Sequence, residues 1–79
     1  MSNDNLQVMD ATVKSIVDLM QGRLNINTDA LLAIENANAI DMVPDDVKKM
    51  REVQATALRA VIREIKEEIA IVKAMYPNA

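Results

Sequence analysis

The chain has 79 residues, a length that predicts one domain, residues 1–79, with a small core. It contains no Cys and no His, which excludes disulfides, histidine-containing zinc sites and Ser-His or Cys-His catalytic pairs. Its single Gly excludes glycine-rich phosphate loops. Tyr76 is the only aromatic residue, so the core has to consist of Leu, Ile, Val, Met and Ala. These residues, with many Glu, Lys and Arg, predict an all-α fold.

The net charge of −3 divides unevenly along the chain. Residues 1–46 carry eight acids and two bases, whereas residues 47–79 carry seven bases and four acids. The two halves can therefore attract each other, within one chain or between copies. The start MSNDNLQ is polar and acidic, unlike a secretory signal, and no uncharged run approaches the roughly 20 residues of a membrane span. We therefore expect a cytoplasmic protein that does not associate with membranes.

The first predicted helix covers about residues 4–21. Its apolar residues repeat at intervals of three and four, which makes one stripe wide enough for one helical partner. The stripe consists of Leu6, Met9, Val13, Ile16 and Met20. Gly22 follows it and suits a left-handed C-cap, so the helix is predicted to end there.

A second helix is predicted over about residues 28–40. Asn27 is a suitable N-cap, and Ile26 before it could pack on Leu31 in a hydrophobic staple. The apolar residues of this helix point in several directions, which indicates contacts on more than one side.

The third predicted helix is long and covers about residues 44–76. Pro44 disfavours a helical conformation at Val43 and suits the first helical position itself. Asp45 and Asp46 then lie in the first turn, where acids are favourable, and Pro77 stops the helix. The predicted architecture is a small three-helix protein, with the two shorter helices packed along this one.

A heptad seam marks one side of the third helix. Its residues are Leu58, Ile62, Ile65, Ile69, Val72 and Tyr76. A neighbouring group widens the apolar sector to roughly 180°, more than one helix can cover. That group is Val53, Ala57, Val61, Ile71 and Met75. We therefore expect the seam to serve as the core and to carry self-association into a homo-oligomer, while a compact monomeric three-helix bundle stays the alternative.

Two charged groups on the third helix are candidate sites. Glu64 and Glu68 share the side of Val61 and Ile71, as a possible buried acid pair or as acids that meet a base at an interface. A basic stripe lies along another edge and could bind an anion or an acidic partner, or simply face solvent. It comprises Lys48, Arg59, Arg63, Lys66 and Lys73.

These observations predict a non-catalytic interaction protein, an adaptor or inhibitor that binds a protein partner and itself, of the kind common among bacterial and phage accessory proteins. No catalytic residue, metal or cofactor is predicted. One alternative is an oligomer that binds a nucleotide or another anion through Arg59, Arg63 and Lys66. Nonspecific nucleic-acid binding is a further alternative, which Asp45, Asp46 and a pI of about 4.7 disfavour.

Overall fold

The protein is a hairpin of two long antiparallel helices. The computed structural model describes residues 2–78, with side chains from Val8 to Asn78. Helix α1 runs over Ser2–Ile40 and helix α2 over Asp45–Met75. The described residues contain no strand, so the all-α prediction is confirmed. The hairpin measures 64 × 15 × 12 Å.

The predicted division into three helices is wrong, because α1 spans both of the predicted shorter helices. Gly22 lies within α1 without a positive φ and caps nothing. Asn27 also lies inside the helix, where its amide Nδ2 donates to the Arg23 carbonyl at 2.7 Å. Ile26 is 70% exposed and Leu31 is half-buried, so the two do not form a staple.

The reason for the continuous helix is an uninterrupted heptad phase. The buried and half-buried residues on the inner side of α1 are three and four residues apart on both sides of Gly22. They are Asp10, Val13, Val17, Met20, Leu24, Asn27, Leu31, Ile34 and Asn38. A break after residue 21 would turn the second half of this row away from its neighbour. Packing along the whole row therefore outweighs the local preferences for a cap, which are worth about 1 kcal/mol each.

Helix α2 supplies the matching row. The buried and half-buried residues on its inner side are Arg51, Ala55, Leu58, Ile62, Ile65, Ile69 and Val72, and Tyr76 continues the row directly after the helix. The predicted seam of the third helix is thus the inner side of α2, and it faces α1 of the same chain. We call the two inner rows together the seam. Among the residues from Val8 to Asn78, those that are buried are Val13, Ala55, Ile62, Ile65 and Ile69, so the core there is one narrow layer.

The connection between the helices is the four residues Asp41 to Pro44. Pro44 has no N–H to donate to α1, and its carbonyl instead accepts from the amides of Val47 at 3.1 Å and Lys48 at 3.2 Å. Asp45 and Asp46 follow in the first turn of α2, as the sequence predicts. The break at Pro44 is therefore the one interruption of the helical chain between residues 2 and 75.

Polar residues replace the apolar ones at the end of the seam beside this turn. Arg51 forms an ion pair with Asp41 at 3.2 Å, and Asn38 Nδ2 donates to the Lys48 carbonyl at 3.4 Å. Asn38 Oδ1 and Arg51 Nη1 are buried without a protein hydrogen-bond partner. An acceptor and a donor that line the same groove have complementary hydrogen-bonding needs.

Gly22→Ala tests the continuity of α1. A Cβ added at Gly22 meets nothing within 4 Å, and the backbone there is helical. Alanine should therefore raise the free energy of unfolding by about 0.5–1 kcal/mol, measured by urea titration followed by circular dichroism. If α1 ended at a left-handed Gly22, the same change would lower stability by about 1 kcal/mol.

Ile65→Ala tests the assignment of the seam as the core. Ile65 is 2% exposed, so its truncation should cost about 2–5 kcal/mol. Leu32→Ala is the matched control, because Leu32 is half exposed away from the seam, and it should cost less than about 0.5 kcal/mol. Both are measured by urea unfolding at one chain concentration. Equal costs for the two variants would contradict the assignment.

Candidate functional site

The hairpin has two broad faces that differ in chemistry. In a helix, the residue before a seam position and the residue after it lie about 100° to either side of the seam. Residues that follow seam positions on both helices line one groove, including Glu35 and Ala39 of α1 and Glu52 and Thr56 of α2. The ion pair between Arg59 and Glu35, at 3.6 Å, also crosses this side. The residues that precede seam positions must then share the opposite side.

That opposite side, which we call the apolar face, is largely hydrophobic on both helices. On α1 the row is Met9, Thr12, Ile16, Leu19, Arg23, Ile26, Ala30, Ala33, Ala37 and Ile40. On α2 it is Val47, Met50, Gln54, Ala57, Val61, Glu64, Glu68, Ile71 and Met75. Of the twelve large exposed apolar side chains in the described part of the chain, eight belong to these rows, so their exposure is concentrated on one side of the hairpin. Leu19, for example, is 71% exposed.

Three charged residues interrupt the apolar face. Glu64 and Glu68 lie here beside Val61 and Ile71, but Glu64 is exposed and Glu68 half-buried, so they do not form the buried acid pair considered from the sequence. Arg23 is the only base among the α1 residues of this face. Among the described residues, the ion pairs are those of Arg51 and Arg59, and neither glutamate pairs with Arg23. The three residues form an isolated charged group within a hydrophobic surface.

The charged face, on the other side of the seam, carries most of the predicted basic stripe. Arg59, Arg63 and Lys66 line one shallow groove of about 450 Å³ together with Leu31 and Ile62. Glu67 also lines it, and Arg59 is paired with Glu35, so acids offset part of the positive charge.

The other two members of the stripe lie apart from this groove. Lys73 lies on the same face two turns farther along α2 and does not line the groove. Lys48 is half-buried beside the turn. The structure therefore brings together three of the five predicted basic residues.

The described part of the chain carries neither a cluster of metal-binding side chains nor a membrane span. Residues 2–78 contain no cluster of three or more acidic residues that could hold a metal ion, and Glu64 and Glu68 remain a pair. Neither α1 nor α2 has a stretch long and apolar enough to cross a membrane.

The row of α1 on the apolar face is the feature that the sequence reasoning missed. The predicted stripe of the first helix combines Met9 and Ile16 with Val13 and Met20. In the structure, Met9 and Ile16 are about half exposed and lie outside the seam. The side chain of Leu6, also assigned to that stripe, lies outside the described residues. The missed signal is a second three-four repeat, displaced by one residue from the seam, which continues through Leu19 and Ile26.

In comparisons with known proteins, no family model, no curated protein and no solved structure matches this chain.

Proposed function

We propose that this chain is a non-catalytic interaction protein, an adaptor or inhibitor that acts by binding another helical surface through its apolar face. The observation that carries the proposal is the alignment of eight large exposed apolar side chains on one side of both helices. Monomeric soluble proteins rarely expose a continuous apolar patch larger than a few hundred Å², and larger patches mark sites of interaction.

The shape of the face supports a helical partner. Two parallel rows of side chains, one on each helix, run along the 31 residues of α2, about 46 Å. A partner helix that places an apolar stripe along these rows would extend the hairpin into a larger bundle. The charged face would then remain toward solvent, where Arg59 already pairs with Glu35.

The seam itself is not available for this role. Its central residues, Ile62, Ile65 and Ile69, are buried against α1. A partner or a second copy that used the seam of α2 would have to displace α1. We therefore assign binding to the apolar face and stability to the seam.

A pair of leucine variants tests the proposal. Leu19→Asp puts a charge on the apolar face, and Leu32→Asp makes the same change at an exposed leucine on the charged face of the same helix. With tagged protein in a lysate of the native host, quantitative mass spectrometry should show partner proteins retained by the wild type and by Leu32→Asp and lost by Leu19→Asp. Each partner so identified is purified and its binding is measured by titration calorimetry.

The same experiment can contradict the proposal. Circular dichroism first checks that both variants keep the helicity of the wild type, since both side chains are exposed. Partners that survive Leu19→Asp and are lost by Leu32→Asp would assign binding to the charged face instead.

A second candidate function is the binding of a nucleotide or another phosphate-bearing anion. Its support is the convergence of Arg59, Arg63 and Lys66 on one groove with Leu31 and Ile62, which provides cations beside an apolar wall. Oligomer symmetry could bring several such grooves together.

Thermal shift measurements at low salt test this candidate with pyrophosphate and ATP as probes. Binding should raise the Tm of the wild type progressively, as the logarithm of probe concentration above the dissociation constant, because a ligand of the folded state stabilises it. Arg63→Ala should abolish the shift, while Lys73→Ala, outside the groove, should retain it. No shift with either probe would reject anion binding. An affinity for duplex DNA that falls steeply with salt would favour nonspecific nucleic-acid binding instead.

A further inference from the structure

The hairpin exposes more surface than a compact monomer of the same mass. Its accessible surface is 6096 Å², whereas a compact monomer of 8.8 kDa has about 4,800 Å². The excess is about 1,300 Å² per chain. If two copies each hid that area, they would bury about 2,600 Å² together, which lies in the range of permanent homodimers. The excess area is therefore of the size that a stable interface with a second copy of the chain requires.

The charged group on the apolar face indicates how two copies would be oriented. The groove beside the turn is lined by Ile34 and Asn38 of α1 and by Arg51 and Ala55 of α2, which places Ile34 at about the level of Ala55 and Asn38 at about the level of Arg51. Extending that antiparallel register along α1 places Arg23 between the levels of Glu64 and Glu68. One positive and two negative side chains thus lie at one level, on different helices of the same face.

We infer that the apolar face pairs with the apolar face of a second copy about a two-fold axis parallel to the helices. This inference rests on the proposed function, since it names the first partner of the same face. In this arrangement α1 lies over α2 of the second copy at the same level. Arg23 then meets Glu64 and Glu68 of the second copy, and the reciprocal contact follows by symmetry. Both turns lie at the same end of a four-helix bundle.

The alternative two-fold axis, perpendicular to the helices, has the opposite electrostatic result. It lays α1 over α1 and α2 over α2. An axis through the charged group would oppose Arg23 to its own copy and the glutamates to theirs, which is costly at a desolvated interface. An axis at any other level would place these charges against apolar side chains such as Ile26 and leave them unpaired.

Spin labels at the turn separate the two arrangements. The chain has no Cys, so Met42→Cys introduces a single labelling site at a fully exposed position in the turn. Double electron–electron resonance should give a distance below about 30 Å, because helix layers in a bundle lie about 10 Å apart and the label adds its own length. Turns at opposite ends would be separated by about the length of the molecule, 64 Å.

Charge reversal tests the predicted pairing between copies. Arg23→Glu alone and Glu64→Lys with Glu68→Lys alone each create like-charge contacts, and each should weaken the dimer about tenfold or more in sedimentation equilibrium. An equimolar mixture of the two variants restores opposite charges at both contacts and should recover dimer formation. Arg63→Glu, on the charged face, is the control and should leave the dissociation constant unchanged.

Each outcome decides the inference. A dimer with a short turn-to-turn distance and recovery in the mixture supports it, whereas a dimer with the long distance overturns it. A wild-type chain that is a strict monomer at tens of micromolar also overturns it. In that last case the proposed function still stands if host partners are retained by the wild type and lost by Leu19→Asp, and it fails with the inference if they are not.

Discussion

The packing of Ile62, Ile65 and Ile69 of α2 along the inner row of α1 is the interaction on which the rest of the molecule depends. The inner row follows most of the 31 residues of α2, a helix of about 46 Å, and can be covered only by a helix of similar length. That requirement makes α1 continuous through Gly22 and Asn27. It also fixes the rotation of both helices, and therefore which residues are left on the two outer faces.

Antiparallel pairing converts two separate sequence patterns into one surface. On an isolated helix, apolar residues displaced by one position from the seam would form only a narrow strip beside it. Because the chain reverses at Pro44, the displaced rows of α1 and α2 come to the same side of the hairpin, and the basic residues come to the other. The apolar sector of α2 thus meets α1 on one flank only, and the remaining flank is the apolar face.

Composition predicted the all-α class, the conformational limits of proline predicted the break at Pro44, and the heptad spacing predicted the residues of the α2 seam. Cap preferences at Gly22 and Asn27 misled, because they are local effects of about 1 kcal/mol that tertiary packing overrides. The groups Glu64 with Glu68 and Arg59 with Arg63 and Lys66 could be placed on their helix, since helical spacing alone decides that. Their positions relative to Arg23 and Glu35 depend on the register between the two helices. No local pattern in the sequence specifies that register.

Polar residues at two places have different structural consequences. Asn38 and Arg51 are seam residues that lie beside the turn. If one helix shifted along the other by a heptad, these two residues would move among apolar residues of the seam. Such residues reduce stability but disfavour alternative registers, as a polar residue does in a coiled-coil core. Arg23, Glu64 and Glu68 are outside the seam and have no such effect on the hairpin. In the proposed dimer they would play the corresponding role between chains, because an apolar surface alone would allow two hairpins to associate in either direction.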